Sequence, residues 1–177
     1  GNFLAIVSNG TGSVTSVVAI VSVNVPPGIS RQPQSQTVTS GTNVNFAVET
    51  TGTAPLRFQW EHNGVNLAGQ TNATLVVRNA TQTDAGEYSV AVANGAGSVT
   101  SSKAQLTVTL PPVITRQPQA QTVLAGGSAT FSVTVSGTEP LRYQWRFNTS
   151  IIPGATNSTL SANNVQTANQ GDYTVEV

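Results

Sequence analysis

Apolar and polar residues alternate with period two in short runs: Val44-Asn45-Phe46-Ala47-Val48, Leu56-Arg57-Phe58-Gln59-Trp60, Tyr88-Ser89-Val90-Ala91-Val92 and Ala104-Gln105-Leu106-Thr107-Val108. Successive side chains of an extended chain point to opposite faces, so each run predicts a β-strand with one buried face. Between the runs stand Ser40-Gly41, Asn63-Gly64, Ala68-Gly69 and Asn94-Gly95, residues that suit tight turns. No segment carries apolar residues at helical spacing, and Thr and Val, which fit a pleated surface, are abundant. The pattern predicts an all-β fold of short strands packed as two antiparallel sheets.

Sliding the chain against itself by 85 positions aligns Pro26-Pro27 with Pro111-Pro112, Phe46 with Phe131, Pro55-Leu56-Arg57 with Pro140-Leu141-Arg142, and Trp60 with Trp145, without a gap. Gly1, Gly86 and Gly171 fall in one column. Residues 1–25 therefore read as the last hairpin of a preceding unit, 26–110 as a complete unit, and 111–177 as a unit that stops within or after its sixth strand. Two explanations of the ends are open. The chain is an excerpt of a longer array, or residues 8–25 complete the last unit of a neighbouring chain. In the second case residues 1–7 would duplicate 171–177.

Gly41, the strand through Val48, Trp60 in "LRFQWEHNG", Leu75 in "ATLVVRN" and "DAGEYSVAVANGAG" from Asp84 to Gly97 occur in an order that resembles immunoglobulin-like domains of the I-set kind. The resemblance implies tandem Greek-key sandwiches and a corner in which the tyrosine, here Tyr88, bonds back to backbone near Asp84 and Gly86. It also marks a departure. The columns that usually hold the intersheet disulfide carry Val48 and Val90, and Val133 and Val175 in the next copy. Removing such a bridge from a small domain costs about 2–5 kcal/mol. Each valine packed beside tryptophan contributes roughly 1.5–3 kcal/mol on burial. The expected core is therefore Val48, Trp60, Tyr88 and Val90, repeated as Val133, Trp145, Tyr173 and Val175.

Composition narrows the chemistry. Charged residues are 8% of the chain, seven basic against seven acidic, too few for a nucleic-acid surface or a polybasic membrane patch. Residues 1–25 lack Lys and Arg and are broken by Asn9-Gly10-Thr11-Gly12, unlike a signal peptide or a membrane span. Cysteine is absent, which excludes disulfides, thiolate catalysis and cysteine-bound zinc. His62 is the single histidine and reads as a surface residue beside an exposed turn; the carboxylates are scattered without a calcium-loop spacing. No catalytic, metal or cofactor site is expected. Lys103, the single lysine, reads as an outward-facing or edge residue rather than a crosslinking one. Asn9, Asn72, Asn79, Asn148 and Asn157 are sequons, open to glycosylation in a source with that pathway and equally suited to turns. Phe58 and Tyr143 share the parity of Trp60 and Trp145 and are expected to point inward.

Pro-Pro pairs join the units without a flexible Gly/Ser tract, predicting close, semi-rigid connections and a rod. The expected role is a structural or adhesive extracellular or cell-surface protein: a stalk, spacer or filament subunit. Cysteine-free arrays of this style resemble those of large bacterial secreted and surface proteins. Its expected partners are neighbouring repeats of the same protein, with self-assembly by strand exchange as one alternative. An accessory region of a secreted multidomain enzyme or carbohydrate-binding protein is the other.

Overall fold

The computed structural model describes residues 1–177 and is built of strands, with two single-turn 3₁₀ helices, Gln82–Asp84 and Thr167–Asn169. It divides into two compact units, residues 1–36, 43–78 and 85–106, and residues 37–42, 79–84 and 107–177. No helix is long and apolar enough to cross a membrane.

The complete repeat has one large sheet in the order Val65–Asn66, Arg57–His62, Gly86–Asn94, Ala104–Thr109, Gln36–Thr39, antiparallel from Val65–Asn66 to Ala104–Thr109, with Gly97–Thr100 pairing the far end of Gly86–Asn94. The other layer is made of Val44–Ala47 paired with Thr74–Val77, and Glu49–Thr51 paired with Gly28–Arg31. Between these two pairs the chain leaves the ladder at Val48, whose N–H bonds the Ala73 carbonyl at 3.1 Å, and the second pair slips register between Ile29 and Arg31. Between Arg57–His62 and Val65–Asn66 the two-residue turn Asn63-Gly64 has φ of 51° and 78°. Positive φ at both positions is what a type I′ turn needs, so the strands' own twist continues through it.

Alternation becomes burial as the period-two reading expects. Val44, Phe46, Val48, Trp60, Val90 and Leu106 form the core together with Tyr88, while Asn45 and Ala47 between them are exposed. Phe46 stacks on Tyr88 at 4.7 Å and tilts against Trp60 at 6.3 Å. In the second copy Phe131 stacks on Tyr173 at 4.6 Å and meets Trp145 at 6.3 Å. The aromatic cluster thus repeats within a tenth of an ångström, with valines where a disulfide would otherwise cross.

That second copy pairs Val113–Arg116 with Thr134–Ser136, Ala129–Ser132 with Thr159–Ala162, and Gln144–Phe147 with both Ser150–Ile151 and Tyr173–Glu176. Residues 121–124, in the columns of Gln36–Thr39, form no strand, and the columns of Ala104–Thr109 fall beyond Val177. The opening residues form a separate hairpin: Ile6–Asn9 pairs Gly12–Thr15, and Asn2–Phe3 pairs Ala19–Ile20.

Its bonds are those of the complete repeat. Ser101 N–H donates to Val90 O at 2.9 Å while its Oγ accepts from Val90 N–H at 3.0 Å; Ser16 and Ala5 make the same two bonds at 2.8 and 2.9 Å.

Candidate functional site: an open strand position and a repeated junction clasp

No group of three or more His, Cys, Asp or Glu gathers to hold a metal. His62 corrects the sequence reading. It is half-buried and stacks on Tyr88 at 4.5 Å, with Nε2 3.2 Å from the Ala85 carbonyl oxygen. The reason is parity, because residues 60 and 62 of one strand face the same side. Phe147, in the same column, packs on Tyr173 at 5.0 Å, so this position is a packing site.

The carboxylates Glu49, Glu87 and Glu176 pair singly with Arg31, Lys103 and Arg146 at 3.3, 2.7 and 3.1 Å. Lys103 is exposed just before the strand Ala104–Thr109. The hydrogen bond from its ammonium to Glu87, and then the carboxylate's charge, hold its pKa above 10.5. All five sequon asparagines are exposed. Two of them shape turns: Asn9 Oδ1 accepts from Thr11 and Gly12 N–H, and Asn148, at φ 54°, accepts from Asp172 N–H.

Phe58 and Tyr143 are both half-buried. Val48, Trp60, Tyr88 and Val90 are buried, as are Val133 and Trp145, whereas Tyr173 and Val175 are only half-buried. The difference lies beside them. A trough of about 730 Å³ runs between residues 118–123 and 171–174, floored by Ala129, Phe131 and Tyr173. In the complete repeat the same position is filled by Ala104–Thr109, which lies between Gly86–Asn94 and Gln36–Thr39. There Phe46 is 1% exposed; here its counterpart Phe131 is half-buried. The Tyr173 hydroxyl donates to the Asn169 carbonyl at 3.0 Å, so the corner closes although the trough is open.

A second arrangement escaped sequence reading. Just before each Pro-Pro pair, Val25 N–H donates to Thr53 Oγ1 at 2.8 Å, and Thr53 N–H donates back to Val25 O at 3.0 Å. Leu110 and Thr138 make the same pair of bonds at 2.7 and 3.0 Å. Gly52 (φ 124°) and Gly137 (φ 154°) let the proline backbone approach: a Cβ on Gly52 would stand 2.9 Å from Pro26 O and Pro27 Cα. Asn94 adds a bond from its side-chain amide to Val25 O at 2.8 Å. The signal was present as the repeated Gly-Thr columns 52–53 and 137–138, but a backbone clasp leaves no apolar pattern to read.

Compared with known proteins, residues 27–108 match the family model of the immunoglobulin I-set domain, and residues 111–177 that of the immunoglobulin domain. Among curated relatives, the frog (Xenopus laevis) protein "Cell adhesion molecule-related/down-regulated by oncogenes" is 29% identical over 82% of this chain and 12% of its own length. Endoglucanase C of Cellulomonas fimi is 33% identical over 78% of this chain and 14% of its own length. The chain thus spans about an eighth to a seventh of these relatives. Among solved structures, a titin I-band fragment, I67–I69, superposes with a TM-score of 0.70 at 24% identity, covering 85% of this chain and 59% of that one.

Proposed function

Because this chain belongs to the immunoglobulin-domain family, we propose that it serves as a structural and adhesive array, a stalk or spacer outside the cell whose repeats divide at the Pro-Pro pairs. The observation that carries this reading is the junction clasp. Two successive connections use the same four backbone and hydroxyl groups, Val25 with Thr53 and Leu110 with Thr138. A flexible tether has no use for such bonds; a spacer that must hold the spacing of its repeats does. The low-charge surface supports the extracellular setting, since it stays hydrated without binding polyanions. The adhesion naming of the frog relative supports the adhesive part, and the Cellulomonas relative supports a bacterial source.

The test exploits the absence of cysteine. Spin labels placed through Asn45→Cys and Ser132→Cys report the distance between successive repeats. A narrow distance distribution that broadens in a Thr138→Val background supports the spacer. A broad distribution in the parent chain refutes it.

The same Cellulomonas relative, named as an endoglucanase, favours a second reading, an accessory region that positions a catalytic domain. The sequence flanking these residues in the parent gene decides: a catalytic domain on either side supports this reading, and further immunoglobulin domains alone support the array.

A further inference from the structure

We infer that Asn94 is a modification site, an asparagine that its own backbone deamidates and whose conversion loosens the Val25–Thr53 clasp in one direction. Asn94 makes two kinds of bond. Its side-chain amide donates to Val25 O at 2.8 Å and to Thr53 O at 2.9 Å, so it ties both partners of the clasp. Its Oδ1 accepts from Ala96 N–H at 2.9 Å, and the residue between them is Gly95.

The second bond sets up the reaction. An asparagine oxygen held by the N–H two residues on folds its side chain back along the chain, which brings Cγ beside the nitrogen of the intervening residue. At Asn94 that nitrogen belongs to a glycine in open surroundings, where a Cβ would meet nothing within 4 Å. The Ala96 N–H also stands where negative charge gathers on Oδ1 during attack. The fold-back belongs to the repeat. Asn9, in the same column and followed by Gly10, accepts from Thr11 and Gly12 N–H at 2.9 and 3.1 Å.

Asn63-Gly64 is the same dipeptide in another geometry. Asn63 Oδ1 accepts from Glu87 N–H at 2.9 Å, and its amide nitrogen lies 3.1 Å from His62 Nε2. That side chain is committed to the neighbouring strand instead of being folded over Gly64, so Asn63 keeps its amide.

The conversion balances as a hydrolysis. Hydroxide takes the Gly95 amide proton, the Gly95 N–Cγ bond forms, and the Cγ–Nδ2 bond breaks, with Nδ2 leaving as ammonia after taking a proton from water. Water then opens the cyclic imide at either carbonyl and leaves aspartate or isoaspartate at position 94. Nothing is oxidised or reduced. A carboxylate only accepts hydrogen bonds, yet this one faces Val25 O and Thr53 O, two acceptors that had shared the amide. Two attractions become two repulsions. The conversion rests on the hairpin and clasp geometry alone, whatever the array serves, so its failure leaves the distance test of the spacer untouched.

The test incubates the whole chain in mildly alkaline buffer made with heavy-oxygen water and maps its peptides by mass spectrometry. Asn94 should take up solvent oxygen as aspartate and isoaspartate, while Asn63 stays amidated over the same period. Gly95→Val, which shields the attacking nitrogen, should lose the conversion. Amide exchange at Thr53 should quicken as conversion advances. Asn94→Asp should quicken it by about tenfold, and by more than Asn94→Ala, which removes the donors without adding a charge. An Asn94 that stays amidated, an Asn63 that converts as fast as Asn94, or an Asn94→Asp variant whose Thr53 amide exchanges like the parent's, each overturns the inference.

Discussion

The indole N–H of Trp60 donates to the backbone carbonyl of Asn72 at 2.9 Å, and Trp145 does the same to Asn157, also at 2.9 Å. Each ring is fully buried, so the one polar atom of the largest core residue would be a liability without that acceptor. No buried side-chain nitrogen or oxygen lacks a partner. Trp60→Ala should cost about 3–5 kcal/mol of stability through the cavity it leaves. Trp60→Phe, which keeps an aromatic ring but no donor, should cost less. Urea denaturation followed by far-ultraviolet circular dichroism reads both, and an unchanged midpoint for the alanine variant would contradict the packing described.

Gly52→Ala combines an unfavourable φ of 124° with a clash against proline backbone that cannot rotate away. The expected penalty is about 1–3 kcal/mol, with faster amide exchange at Val25. Thr53→Val, isosteric but without the hydroxyl, should accelerate exchange at the same amide and cost only about 0.5–1.5 kcal/mol. Exchange at Val25 unaffected by either substitution would show that the clasp does not hold in solution.

Lys103 gives a pH dependence of definite sign. Glu87 raises its folded-state pKa above 10.5, so the folded chain binds that proton more tightly than the unfolded one. The pair's contribution is complete below pH 10.5 and fades as pH climbs through the raised value. Lys103→Gln should leave the neutral-pH midpoint nearly unchanged, since exposed pairs contribute little, and should flatten the alkaline slope. Thermal melts from pH 9 to 12 compare the two; an unaltered slope would dismiss the pair.

Tyr173→Phe removes the donor to Asn169 O and should cost about 0.5–1.5 kcal/mol. The earliest copy already carries Phe3 in that column, on a hairpin where it is 62% exposed. Equal stability of the Tyr173→Phe variant would mean that the corner hydroxyl contributes nothing here.

Much of this fold is legible from side chains alone, because burial follows parity: Val44, Phe46 and Val48 inward, Ala104, Leu106 and Val108 inward, with the exposed residues between them. At His62 two signals compete and parity wins. Its neighbours Asn63-Gly64 announced a turn, whereas its parity with Trp60 placed the ring on Tyr88. The Val25–Thr53 and Leu110–Thr138 clasps were illegible for another reason, since they rest on main-chain groups brought together across 28 residues. So too were the cis bonds Ala54-Pro55 and Glu139-Pro140, one in each copy. Asp84 and Asn169, which share a repeat column, keep a shared task. Asp84 Oδ2 accepts from Thr81 N–H at 2.8 Å, and Asn169 Oδ1 accepts from Gln166 N–H at 2.9 Å in the same columns. An oxygen acceptor suffices there, and both residues provide one.

Residues 26–110 produced alone, and unfolded in urea while Trp60 fluorescence is recorded, test most directly whether one repeat length closes on its own core without a disulfide. A single sigmoidal transition, preceded by emission from a water-shielded indole, is the expected result. A gradual, non-cooperative change, or solvent-exposed emission before any urea is added, would contradict it.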